Sequence, residues 1–414
     1  MNLQELRSSN ALIDLFCSLA QIPSPTMKED KVADFILEYF ASNGIDAARD
    51  EYGNVIAKIK ATDYSKKPLL LSAHMDVVGD DSPVNIFLNS NIIETDKKRT
   101  LGADNKAGVS SAMLLAKKVA SDKTLSHGGI ELAFTRDEEQ TMSGVKHLDM
   151  KKFDSEYLLV LDADRMAQVQ ISGAGFMKLI LNVKALKGGH SGFDIGDETR
   201  LNAVKLISEL IMQIPQGAYK YDEYGVATSI NVGAVVGGGV ETALSKFKET
   251  DVPAQEASDF VLRNSMTNII NTDAGVIYSI RSTDKKVERE LIDKVQKIVD
   301  DFNKKYENLA SATLEEHLHL MPFEKSDDET IVNVARKAAD IVGVTPDVSS
   351  FHAAAETHIY SLKTNSKGVK FKPCLIGVAD IYNMHSSDEQ LDYKSLLKGY
   401  EFLEAIFLEF NKLF

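Results

Sequence analysis

The chain has 414 residues, 61 acidic against 47 basic, and a formal net charge of −14. That length leaves room for two domains or one large one with an ample core, and the ordinary apolar and charged shares mark a globular protein. The acidic balance and the lack of a basic run argue against nucleic-acid binding as the main task.

The opening, "MNLQELRSSNALIDLFCSLAQ", reads as helix. Glu5, Arg7 and Asp14 interrupt it, so it lacks the basic and then apolar pattern of a secretory leader. No stretch approaches ~20 uninterrupted apolar residues, so no membrane helix is expected and the protein is placed in the cytoplasm. Cys17 falls in this helical pattern and Cys374 in an apolar strand-like run, and both are expected to be buried free thiols.

After "IPSPT", Thr26 and Glu29 fit a T-x-x-E capping box. Val32, Phe35, Ile36 and Phe40 then recur at helical spacing, with Gly44 as the stop. "NVIAKIKA" alternates like a strand, and "PLLLSAHMDVV" is a continuous apolar run of the kind buried on both faces. "NKAGVSSAMLLAKKVAS" is a helix, and "GGIELAFT" and "EYLLVLDAD" are further buried strands. Strands alternating with helices predict an α/β fold, a mostly parallel sheet covered by helices.

The pattern changes after about residue 175. "FMKLILNVKALKGGHSG" is a strand ending in a Gly-Gly-His turn, "TRLNAVKLISELIMQI" a helix, and "ATSINVGAVVGGG" and "AGVIYSIRSTD" are strands. "KKVERELIDKVQKIVDDFNKKY" is a long amphipathic helix. These units predict a small α+β domain with one open sheet. "DETIVNVARKAADIVG" (helix), "PCLIGVA" (buried strand) and "YKSLLKGYEFLEAIFLEFNKLF" (helix) then resume the first pattern. The layout is a catalytic domain over 1–175 and 286–414, interrupted by a lid and dimerisation domain over 176–285.

Polar residues collect directly after the buried strands. "LLLSAHMDVV" places His74 and Asp76 on one face of an extended chain. "TLGADNKAG" offers Asp104 ahead of a helix, "LAFTRDEEQ" offers Asp137, Glu138 and Glu139, "LLVLDADR" offers Asp162 and Asp164, and "LIGVADIYNMHSSDE" offers His385. In open α/β sheets, sites form outside the carboxyl ends of the strands. Taken singly, a His-x-Asp is more often structural and an acidic triplet is more often a solvated loop. Two carboxylates about 4 Å apart, however, repel by roughly 4 kcal/mol at an effective dielectric of about 20. Together the two histidines and the carboxylates match a mixed nitrogen and oxygen site for zinc or a similar divalent ion, which offsets that repulsion.

Seven segments, "SAHMDVV", "TLGADNKAG", "FTRDEEQTMSG", "LVLDAD", "LKGGHSG", "TNIINTDAGVIYSIRS" and "NMHSSDE", stand in an order and approximate spacing that resembles a known family. This is the co-catalytic zinc exopeptidases, which include tripeptidase T, the aminoacyl-histidine dipeptidases, carboxypeptidase G and the aminoacylases. The resemblance spans nearly the whole chain. It implies His74 and Asp162 as ligands of one metal, with Asp164 as the alternative to Asp162, and Glu139 and His385 as ligands of the other. It also implies Asp104 as the carboxylate that bridges them, Asp76 as the residue that orients His74, and Glu138 as the general base. His190 resembles an oxyanion-stabilising histidine that reaches the partner's site in dimeric members, and Asn268 and Arg281 resemble substrate-binding residues. The implied cofactors are two divalent ions, zinc first, with cobalt or manganese also suited; the implied partners are a small peptide and a second copy of the chain.

The segment 240–266 departs from the family pattern as an insertion, and "TNIIN" lacks the proline often found there. "FHAAAETHIY", with His352, Glu356 and His358, resembles a "HAGLE" segment of the aminoacyl-histidine dipeptidases and is read as pocket lining. His317 and His319 are read as a solvated or lid-edge strand. The expected function is a metal-dependent exopeptidase acting on di- or tripeptides. The alternatives are an N-acyl amino acid deacylase of the same architecture and a catalytically inactive relative that binds without cutting.

Overall fold

The computed structural model describes residues 2–414. The chain forms two compact units, Met1–Gly173 together with Phe323–Phe414, and Ala174–Pro322. The first is built on an eight-stranded sheet, in the order Asp46–Arg49, Val55–Ile59, Ile130–Thr135, Leu69–His74, Tyr157–Ala163, Lys372–Gly377, Gln168–Gly173 and Asp347–Phe351. The middle four strands are mutually parallel, and antiparallel pairs occur toward the edges. Every residue of Leu69–His74 and of Ile130–Thr135 is buried, as a sheet covered on both faces requires.

Helix Ala103–Ser121 packs along Leu69–His74 and against helix Ala11–Ala20, and the last helix, Tyr393–Phe410, packs on both helices. On another part of the sheet, Leu70, Ala133, Leu158 and Val160 meet Val145, Phe153 and Tyr360 in one apolar cluster. A small four-stranded sheet, Ile381–Tyr382, Gln390–Asp392, Ile92–Thr95 and Ile86–Asn89, brackets the loop that carries His385. Cys17 and Cys374 are buried free thiols, both pushed up to about 12 by burial. Among the described residues no helix is long and apolar enough to cross a membrane.

The second unit is one antiparallel sheet of five strands, Gly217–Asp222, Gly225–Gly237, Asp273–Ser282, Gly175–Ala185 and Ala310–Leu320. Gly175–Ala185 alternates between buried and more exposed residues, the period-two signature of a sheet with one wet face. Its buried side, Met177, Leu179, Leu181 and Val183, packs with Leu206, Ile207 and Leu210 of helix Ala203–Gln213. Leu291, Val295 and Val299 of helix Lys285–Lys305 join the same cluster.

The domain division at 285 is therefore corrected to Pro322. The apolar stripe of Lys285–Lys305 is spent on the second unit's core, and Ala310–Leu320 pairs with Gly175–Ala185 along nearly its whole length. Within the first unit, Gly173 and Phe323 exchange two backbone hydrogen bonds, of 2.8 and 3.0 Å, where the chain leaves and returns. The inserted segment 240–266 contains two short helices, Glu241–Lys248 and Ala257–Asn264, held together by Phe247 against Phe260.

Candidate active site

Three neighbouring parallel strands deliver the acidic and imidazole groups. His74 closes Leu69–His74 and pairs with Thr135, after which the chain turns through Asp137, Glu138 and Glu139. Ser72 pairs with Val160, so two residues further on His74 and Asp162 come level. The register thus brings Asp162 beside His74, with Asp162 Oδ1 3.2 Å from His74 Nε2. Asp104 is brought in by helix Ala103–Ser121, whose path is non-helical at Asp104 and Asn105, with Gly102 before it in the left-handed region. The Asp104–Asn105 peptide is cis. His385 has φ +60° and Asp137 φ +53°, backbone values that bulky side chains rarely adopt.

Asp104 faces two ways. Its Oδ1 is 3.0 Å from His74 Nε2, and its Oδ2 is 3.1 Å from His385 Nε2. Glu139 Oε2 is also 3.1 Å from His385 Nε2. One carboxylate therefore joins a His74–Asp162 pair to a His385–Glu139 pair. Of the acidic triplet, Asp137 turns away and accepts from Thr141 and Ser143, leaving Glu138 and Glu139 to the cluster. Asp76 organises that turn: its Oδ1 accepts from the Glu138 amide at 3.0 Å and its Oδ2 from the Glu139 amide at 3.2 Å. His74 Nδ1 sits 3.0 Å from the Asp76 carbonyl and 3.4 Å from its carboxylate, which leaves Nε2 to point at Asp104 and Asp162.

The balance of charge in the cluster follows from burial and close pairing. Burial pushes the Asp162 carboxyl up to about 7 and the Glu138 carboxyl well above the usual range. Burial pulls His74 down, but Asp162, Asp104 and Asp76 more than offset it and hold the imidazole well above its ordinary value. Hydrogen bonds to Asp104 and then to Glu139 raise His385 to about 10. For Asp104, burial opposes ionisation, yet the two histidines hold it below the usual carboxylate range. Glu139 Oε1 is buried without a hydrogen-bond partner. His74, Asp104 and Glu139 each place a ligand atom within 4.8 Å of the others, so the donor set fits a divalent cation.

A cation there must displace protons. His385 is raised to about 10, well above an ordinary imidazole, so its proton is fully held at low pH and is lost only as pH rises through that value. Chelator-stripped protein at pH 8 is expected to release protons when zinc is added, with apparent affinity rising as pH rises. Titration in weak buffer with an indicator dye reads this directly; uptake without proton release would mean that His385 is not displaced.

Several residues of the site were not singled out in the sequence for these roles. The T-x-x-E capping box does not form: Glu29 makes no side-chain cap, and Thr26 donates to Asp76 Oδ2 at 2.9 Å. Glu29, fully buried, accepts from the Asp137 amide at 3.1 Å and from Arg136 Nε at 2.7 Å. Glu389 accepts from Thr100, from the Gly102 amide at 2.7 Å and from the Asp104 amide at 3.1 Å, fixing the Asp104 turn. Its place just after "HSSD" was the available signal. Of the segment read as pocket lining, Glu356 and His358 are buried and His352 is exposed. Glu356 accepts from Ser72 at 3.1 Å, and burial raises it to about 7.

His190, Asn268 and Arg281 belong to the second unit. Gly189–His190 pairs with Ile269–Ile270, and the Ser191 amide donates to the Asn268 carbonyl at 3.0 Å, so His190 and Asn268 share one turn. His190 Nδ1 accepts from the Gly192 and Phe193 amides at 3.1 and 3.3 Å, which places the ring proton on Nε2. Arg281 lies on Asp273–Ser282, in register with Phe176 and Ser229.

Comparison with known proteins agrees with this architecture. Residues 70–409 match the model of peptidase family M20/M25/M40. An uncharacterised protein of Bacillus subtilis, YqjE, is 25% identical over 97% of this chain and 98% of its own. Peptidase T of Clostridium novyi is 23% identical over 80% of this chain and 72% of its own. The crystal structure of aminopeptidase PepT from Bacillus cereus superposes with a TM-score of 0.78 at 22% identity, covering 96% of this chain and 98% of that one. The family match covers most of the chain, including all the residues of the carboxylate and histidine cluster, and the chain belongs to peptidase family M20/M25/M40 as a metallopeptidase.

Proposed function

We propose that this protein is an exopeptidase that hydrolyses di- or tripeptides, with Glu138 as general base beside a two-cation centre. The observation that carries the reading is the two-sided Asp104, with one oxygen on His74 and the other on His385. His74 with Asp162 would hold one divalent ion and His385 with Glu139 the other, with Asp104 serving both. Zinc suits these donors, and cobalt or manganese could replace it. Bound there, such ions supply Lewis acidity that acidifies a water and polarises the peptide carbonyl.

The chain's own groups do the rest. Glu138 takes the proton from the attacking water and passes it to the amine nitrogen as the C–N bond breaks. Asp76 keeps the His74 ring oriented and holds the backbone that presents Glu138 and Glu139. The His190 Nε2–H is assigned to the developing oxyanion, Asn268 to the substrate carbonyl and Arg281 to the substrate carboxylate. His190 is exposed on its own unit, which leaves it available to a second copy's site, so a homodimer is part of this reading.

The test is a panel of an Xaa-His dipeptide, general dipeptides, tripeptides and N-acetyl amino acids, each with added metal and with chelator. Chelator-sensitive cleavage of the unblocked peptides is expected. Turnover of the N-acetyl compounds alone would overturn the peptidase assignment.

A further inference from the structure

Arg281 has an unusual setting for a surface-strand arginine. Its guanidinium makes no ion pair or hydrogen bond among the described residues, and burial alone lowers its pKa, with no carboxylate acting against it. Its guanidinium carbon lies over the Phe176 ring, 4.3 Å from the centroid. Strand Gly175–Ala185 runs between Asp273–Ser282 and Ala310–Leu320, so Phe176 has Arg281 on one flank and the end of Ala310–Leu320 on the other. There the register slips between Leu318 and Leu320, and the His319 ring stacks on Phe176 at 5.1 Å and 23°. Lys178 adds a second cation 5.7 Å from the same ring.

We propose that Phe176 and His319 are positioning residues for Arg281, forming a three-strand stack that aims a guanidinium at the substrate's carboxylate. This rests on the reading of Arg281 as the carboxylate binder. A guanidinium lying over a ring uses its face for the aromatic contact, and its five in-plane N–H donors stay available for a two-point grip on a carboxylate. Without the ring, the same side chain keeps its charge but loses the fixed plane that a two-point grip needs. His319 stacks on the same ring from the neighbouring strand. The register slip is the local irregularity that brings a histidine onto a ring one strand away.

The experiment compares a peptide that the wild-type enzyme cuts with its C-terminal amide. Phe176→Leu is expected to raise KM for the free acid by about tenfold, the upper part of what a cation–π contact is worth, with kcat within about twofold and the amide unchanged. Phe176→Tyr keeps the ring and is expected to restore KM. His319→Ala, at an exposed position on an edge strand, gives a smaller rise, and His319→Phe reverses it. Discrimination between acid and amide in the wild type that survives Phe176→Leu and His319→Ala overturns the proposal alone. Equal cleavage of acid and amide by the wild type, with Arg281→Met silent, overturns the Arg281 reading and the stack with it.

Discussion

Replacing Glu138 with glutamine is expected to leave metal content unchanged while kcat falls by about 10³–10⁴-fold, the upper range for loss of a positioned general base. The amide keeps the shape of the side chain and removes its ability to accept a proton. The turn itself does not depend on that side chain, because the Glu138 backbone is tied to Asp76 at 3.0 Å. Burial already raises the proton affinity of this carboxyl, as suits a group that must first gain a proton and then give it up. Elemental analysis beside steady-state kinetics separates the outcomes. Near-wild-type kcat with full metal would move the base to another residue, and lost metal would make Glu138 a ligand.

The second large effect is expected at Asp104. Asp104→Ala removes a donor from both histidine pairs at once, so both ions are expected to be lost together and activity to fall to background. Asp162→Asn is the contrast. It weakens only the His74 side, where Asp162 lies 3.2 Å from the imidazole, and leaves the pairing of His385 with Glu139 intact. Metal counted after gel filtration distinguishes the two variants. If Asp104→Ala retained one ion per chain at full occupancy, Asp104 would belong to one ion only and the bridging role would fall.

Much of this centre was legible in the chain because its residues follow strands that announce themselves. His74, Glu138, Glu139 and Asp162 sit at the ends of runs whose continuous apolar character needs both faces covered, and parallel pairing then brings those ends together. Asp162 was placed ahead of Asp164 by the family resemblance, and the register sets it beside His74. Thr26 and Glu29 were misread because T-x-x-E fits a local cap, and nothing nearby in the chain reveals that Asp76 and Arg136 are the stronger partners. The boundary at 285 failed for a similar reason. Periodicity shows that Lys285–Lys305 has an apolar stripe without showing what covers it, and the pairing of Ala310–Leu320 with Gly175–Ala185 joins distant stretches of chain. Glu389 lay beside a motif, but its task of holding two backbone amides at the Asp104 turn is visible only in the fold.

The paired hydrogen bonds between Gly173 and Phe323 have a consequence for how such a protein can change over time. They close the first unit's backbone on itself at the point where the second begins and ends, and the second carries its own core. Mutations that reshape Arg281, Phe176 or the 240–266 segment need not pass through the packing that supports His74 and Asp104. If Arg281 and its surroundings set substrate preference as proposed, that preference can drift in one block while the carboxylate and histidine cluster stays under constant selection in the other. Relatives that differ in what they cut would then be expected to diverge fastest between the two residues of that bridge.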